Sequence, residues 1–273
     1  MKRYILWTIV MAAFSGCVKE TGWDLPGGLP STIVVDAILT DEVKAHRVVL
    51  SRPAADLNAA GEPVTGAGVV ISNDDSTWQL AESPAGSGVY LTPAWFSART
   101  DKTYTLLVSA GDRIFSARSG MEPGAAFNEL RYAYDENRGL YYVDWVANAF
   151  STQEAAMWEL LIDWSGVAGF ESQDSLDTRA RLLFYTLPTL DVSEIFAPMM
   201  ETVFFPAGTL ITERRYSLTD RHAEYARELL LETNWTGGLF PVAPANVTSN
   251  VSEGGLGFFG VCAVTRLSVV VGP

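Results

Sequence analysis

Between residues 32 and 117 the chain repeats one pattern. A short run rich in Val, Ile, Thr and aromatic residues is followed by a cluster of Gly, Pro, Asn, Asp or Ser. The runs cover 32–39, 45–50, 68–71, 76–80, 88–91, 102–108 and 113–117. Asn73-Asp74-Asp75, Pro84-Ala85-Gly86 and Ala110-Gly111-Asp112 separate several of them. β-Branched and aromatic side chains fit a pleated, half-buried surface, whereas the separating residues supply turn conformations and local side-chain caps. The runs alternate polar and apolar without a helical period, so residues 31–123 are expected to form an Ig-like β-sandwich. The two cysteines, Cys17 and Cys262, cannot supply the Cys…Trp…Cys pins of antibody domains, so "Ig-like" here means architecture only.

Residues 126–273 read as a second β-rich domain. Residues 130–134 and 140–146 flank Asp135-Glu136-Asn137-Arg138-Gly139, the pattern of a hairpin. Further strands are expected at 156–164, 179–187, 202–205 and 209–218. The run 257–271 is long enough for one bent strand or two. One helix is predicted over about 219–233: Thr219 or Ser217 can cap it, Asp220 lies in its first turn, and Ala223, Ala226, Leu229 and Leu230 recur at helical spacing. Gly237-Gly238 lies just past its expected end, and a Pro- and Asn-rich loop follows.

Composition removes classes of function. A net charge of −13 repels phosphate backbones, so nucleic acid is not an expected partner. Two cysteines and two histidines exclude a disulfide scaffold and any zinc site built from several Cys and His ligands. His46 and His222 lie in neither an HExxH nor a nucleophile-elbow context, and no catalytic residue is assigned. Asp135-x-Asn137-x-Gly139 has the spacing that opens a calcium loop, but a hairpin turn uses the same residues and the distant Glu of that loop is missing. No metal or cofactor is expected. Cys262 lies in an apolar run and reads as a small core residue. Trp145, Trp158 and Trp164 read as packing residues. Trp95, Phe96 and Trp235 border loops and, with Asn246 and Asn250 of the 237–254 loop, form the expected contact surface.

The beginning of the chain carries a different signal. Lys2 and Arg3 precede about ten largely apolar residues, and Ser15-Gly16-Cys17 closes the run. Ten residues span ~15 Å of helix, half of a bilayer's hydrocarbon core, so the segment has the shape of a signal peptide. Phe14-Ser15-Gly16-Cys17 resembles a bacterial lipobox, with Phe14 in place of the usual aliphatic residue. That resemblance implies cleavage after Gly16 (residues 1–16 being the signal peptide) and palmitate-type acylation of Cys17. Two or more acyl chains hold a protein firmly to a membrane where one does not. Residues 17–30 then read as a tether, and Val18-Lys19-Glu20-Thr21 resembles the Lys-then-acid signal that sends Bacteroidetes lipoproteins to the outer face of the outer membrane.

Several blocks together carry a family resemblance: Val34-Val35-Asp36-Ala37-Ile38-Leu39-Thr40-Asp41, Val48-Val49-Leu50-Ser51-Arg52, the run from Val64 to Asp75, Gly88-Val89-Tyr90, Lys102-Thr103-Tyr104-Thr105-Leu106, Met121-Glu122-Pro123 and Gly254-Gly255-Leu256-Gly257-Phe258-Phe259-Gly260. In this order they resemble the DUF4249 family of Bacteroidetes lipoproteins. The resemblance implies a non-enzymatic, outer-membrane, surface-facing lipoprotein that is an accessory of a TonB-dependent receptor of the SusC-like type. A stand-alone glycan-binding or adhesin module is the alternative, and an unrecognised hydrolase a third reading. A glycan or small nutrient is the expected ligand class.

Overall fold

The computed structural model describes residues 32–54, 59–171, 174, 177–189, 202–234, 247–252 and 254–272. Within them the protein is mainly β. The first seven strands are β1 (Ile33–Thr40), β2 (Arg47–Ser51), β3 (Gly68–Ser72), β4 (Thr77–Glu82), β5 (Val89–Leu91), β6 (Thr103–Ala110) and β7 (Arg113–Gly120). They fall on the seven predicted runs. Then come β8 (Arg131–Asp135), β9 (Leu140–Trp145), β10 (Ala156–Asp163), β11 (Arg179–Thr186), β12 (Phe204–Phe205), β13 (Leu210–Ser217), helix α1 (Asp220–Asn234), β14 (Gly255–Cys262) and β15 (Val264–Val270).

Strands β1 to β7 and β14 form one sheet in the order β14-β1-β2-β5-β4-β3-β6-β7. Alternation puts one face of each strand inside: Ile33, Val35, Ala37 and Leu39 from β1, Val48 and Leu50 from β2, and Tyr104, Leu106 and Val108 from β6 meet in a common core. Each such side chain, taken fully out of water, contributes ~1.5–3 kcal/mol. The sheet curls until its two ends nearly meet. Beside β7, the amide of Ser252 donates to the carbonyl of Ser116 at 2.8 Å, and the Ser252 hydroxyl accepts from the Ser116 amide at 3.0 Å. The expected sandwich of residues 31–123 is therefore a nearly closed sheet, and it is incomplete without the far end of the chain.

That last point corrects the expected boundary between residues 123 and 126. β14 lies parallel to β1, with Ile33 opposite Gly255 and Thr40 opposite Cys262. Parallel strands need a long crossover, and here everything from β8 to α1 lies within that crossover. β1 is the sheet's first strand and would otherwise present an unpaired edge. Two glycines of the block Gly254 to Gly260 permit the fit. Gly257 has φ +82°, and a Cβ there would run into the backbone carbonyl of Val35. A Cβ on Gly260 would stand 2.6 Å from Cε1 of His222, so its absence lets α1 press against the strand.

The rest of the chain forms two smaller sheets, β11-β10-β13-β15 and β12-β9-β8, enclosing a second core around Trp158, Leu160, Ile162, Phe205 and Ile211. The β8–β9 hairpin turns where predicted, with Gly139 at φ +67°. Ala263 alone separates β14 from β15, so one bent stretch of chain serves both the large sheet and the four-stranded one. α1 starts one residue after Thr219, whose hydroxyl accepts from the His222 amide at 3.3 Å and whose carbonyl accepts from the Ala223 amide at 2.9 Å. Ala223 and Ala226 turn inward beside Met157, Tyr216, Leu218 and Cys262, so the helix seals the junction between the two units. No helix among the described residues is long and apolar enough to cross a membrane.

Candidate functional site

The residues singled out from sequence separate into three groups. Trp95 is 68 % exposed, on the surface where it was expected. Phe96 does not: its amide donates to the Pro93 carbonyl at 3.0 Å, and this turn sends the ring into the core. There it is 1 % exposed and meets Trp78 edge-on at 4.9 Å and His46 at 5.4 Å. Asn250 is also corrected. Its amide group donates to the carbonyls of Phe259 at 2.7 Å and Arg118 at 3.3 Å, and its carbonyl accepts from the Phe259 amide at 2.9 Å. It stitches β14 to β7 and is buried. Trp235 and Asn246, together with Gly16 and Cys17, lie outside the described residues.

Both histidines are enclosed. His46 Nε2 lies 2.8 Å from the Thr40 hydroxyl, and burial beside Lys44 pulls the imidazole down to about 4. His222 stacks on Phe258 with ring centres 4.6 Å apart, and its Nδ1 lies 3.6 Å from Cys262 Sγ. Burial lowers the imidazole to about 4 and pushes the thiol up to about 12, so at neutral pH the two are uncharged and packed together. The calcium-like spacing is spent on the hairpin. Asp135 accepts from the amides of Asn137 at 2.9 Å and Arg138 at 3.1 Å, and Arg138 Nη1 takes its other oxygen at 3.0 Å. Asn73 caps its own turn in the same way, accepting from Asp75 and Ser76. Among the described residues no three His, Cys, Asp or Glu side chains gather to hold a metal.

The arrangement with most capacity for recognition is the outer face of the four-stranded sheet. The register places its residues in rows. Tyr185, Met157, Tyr216 and Val264 form the first row, beneath α1. Below come Leu183, Glu159, Arg214 and Arg266; then Arg181, Leu161, Thr212 and Ser268; then Arg179, Asp163, Leu210 and Val270. Leu183, Leu161, Leu210 and Val270 run diagonally across these rows at 42, 36, 43 and 61 % exposure. An apolar stripe lying in open solvent on a polar face is the composition of a protein contact. In the three open rows four arginines meet two acids, on a chain whose net charge is −13.

An ion network fixes the upper part of this face. Glu159, only 4 % exposed, receives Arg181 Nε and Arg214 Nη1, each at 2.6 Å, and the Tyr216 hydroxyl at 2.9 Å. Burial opposes ionisation of Glu159, but these three donors outweigh it and hold the carboxyl below its ordinary range. Arg214 also reaches Glu42, on the β1–β2 connection of the large sheet, and Lys44 Nζ meets the same carboxylate at 2.6 Å. Asp41 adds a second tie, accepting from the Val264 amide at 2.8 Å. The upper part of this face is thus tied to the first unit. Sequence reading had no handle on it, because its arginines are scattered from 179 to 266 and only strand pairing brings them together. The available signal was the alternation Arg179-x-Arg181-x-Leu183 in a run otherwise expected to be a strand.

The family model described as "Domain of unknown function (DUF4249)" matches residues 23–268. No curated protein matches the chain.

Proposed function

The chain belongs to the DUF4249 family, and on that premise we propose that it is a non-enzymatic lipoprotein, anchored through Cys17 to the outer membrane and facing the cell surface, that works beside a TonB-dependent receptor of the SusC-like type. The observation that carries this reading is the open sheet face: a leucine and valine diagonal flanked by Arg179, Arg181 and Arg266 on a platform ion-locked in its upper part. A partner offering acidic and apolar groups fits that surface, and the positive face would steer such a partner against the background of an acidic molecule. The lipobox-like Phe14-Ser15-Gly16-Cys17 supports the anchor. An anchor confines the protein to the plane of its partner and raises the effective concentration of both.

Purification from outer membranes in mild detergent tests the reading. The expected result is co-recovery of a large barrel protein, reduced at least tenfold when Leu183→Asp and Leu210→Asp are combined. Recovery of the wild-type chain as a lone monomer overturns the proposal. Labelling with a lipid precursor, present in the wild type and lost in Cys17→Ala, tests the anchor separately.

A further inference from the structure

At the tip of the β8–β9 hairpin, away from the arginine-bearing face, lies an open cleft of about 470 Å³. It is lined by Tyr134, Asp135, Glu136, Asn137, Tyr142, Thr202 and Phe204. We infer that this cleft binds a neutral carbohydrate, a proposal that stands apart from the anchoring and docking reading above.

The local architecture supplies what such a ligand needs. β9 and β12 pair Tyr142 directly with Phe204, their ring centres 5.9 Å apart, whereas the Tyr134 ring lies against Tyr141 on the other face of the sheet, so Tyr142 is the ring offered to a ligand. Aromatic rings offer flat apolar faces to the C–H faces of a sugar ring, and tyrosine adds a hydroxyl at the polar end. Around them stand the carboxylate of Glu136, the amide of Asn137 and the hydroxyl of Thr202, the acceptors and donors that a polyhydroxylated ligand can use. The volume lies within the ~300–1,000 Å³ of small-ligand sites, while the openness of the cleft to solvent suits part of a longer chain over an enclosed small molecule.

Charge selects within carbohydrates. Asp135 and Glu136 border the cleft, and the neighbouring cation Arg138 is already engaged, its guanidinium over the Phe204 ring at 4.4 Å and paired with Asp135 at 3.0 Å. Uronic or sulfated sugars would meet uncompensated negative charge. An organic cation would have to displace Arg138 from both its carboxylate and its ring. A neutral sugar can use Tyr142 while leaving that clamp in place.

The test is an array of neutral and acidic oligosaccharides probed with the full-length protein in detergent, followed by calorimetric titration of the best neutral binder, a uronic-acid hexamer and choline chloride. A neutral oligosaccharide is expected to bind. Tyr142→Ala should weaken it tenfold or more, and Tyr142→Phe should retain most of it. Trp95→Ala should change nothing. An unaltered melting temperature in the alanine variants shows that the loss is local. Three results would each overturn the inference: no neutral oligosaccharide bound by the wild type, binding indifferent to Tyr142→Ala, or stronger binding of choline or the uronic-acid hexamer.

Discussion

Replacing Gly257 by alanine isolates the step that completes the large sheet. Gly257 and Gly86 share φ +82°, a backbone conformation that L side chains rarely adopt, but nothing lies within 4 Å of a Cβ built at Gly86. Gly86→Ala therefore reports conformational strain alone: ~1–2 kcal/mol against the L residue, partly offset by ~0.4–1 kcal/mol from a stiffer unfolded chain. At Gly257 the same Cβ also meets the Val35 carbonyl, its carbon 2.9 Å away, so β14 must lift from β1. Overpacking of this kind adds ~1–3 kcal/mol. The expected totals are about 1 kcal/mol for Gly86→Ala and about 2–4 kcal/mol for Gly257→Ala. At ~2–4 °C per kcal/mol for a chain of this size, Gly257→Ala should melt roughly 4–16 °C lower, and Gly86→Ala a few degrees lower. Thermal and urea unfolding followed by circular dichroism measure both. Equal shifts for the two variants would refute the claim that β14 lies tightly against β1.

Phe96→Ala should cost ~3–5 kcal/mol in urea unfolding, as expected for a ring in the first core, whereas the neighbouring exposed Trp95→Ala should stay within about 0.5 kcal/mol. Glu159→Leu, which leaves Arg181 and Arg214 without their shared carboxylate, should destabilise by ~3–5 kcal/mol. Arg181→Ala, whose side chain is 60 % exposed, should cost less than about 1 kcal/mol in the same assay. Stability should also depend on pH through Glu213: burial raises its carboxyl to about 7 from a usual value of 4.5, so the folded state holds a proton that the unfolded state releases. Its contribution is complete below pH 4.5 and is lost as pH rises through 7, and Glu213→Gln should abolish that decline in a series of urea titrations from pH 5 to 8. His46 and His222 act with the opposite sign between about pH 4 and 6.5, because both are held uncharged, and they make stability rise with pH there.

The strands of the first unit were legible because each run announces itself locally: alternation within it and turn residues beyond it. The hairpin around Asp135 and the helix after Thr219 were legible for the same reason, since caps and turns are short-range chemistry. Placement of β14 was not. The run 257–271 was expected to form one bent strand or two, but nothing local in it names β1 as a neighbour, and the value of its glycines emerges only when Val35 and His222 lie alongside. Phe96 and Asn250 were misjudged because a flanking turn or a Pro- and Asn-rich neighbourhood marks irregular backbone, and backbone irregularity does not say which way a side chain points. Phe96 turns inward from its loop, and Asn250 uses its amide to join two strands. The arginine face and the tyrosine cleft were invisible for a related reason: each is assembled by pairing across dozens of residues.

The union of β1 with β14 also bears on biosynthesis. A chain emerging from its N-terminus offers β1 long before β14 exists, so the large sheet cannot be finished until residues 255–262 have been made. Any product ending short of residue 255 would keep an open strand edge available to proteases and to neighbouring copies. Closure by β14 thus separates molecules that have reached this strand from fragments that stop before it.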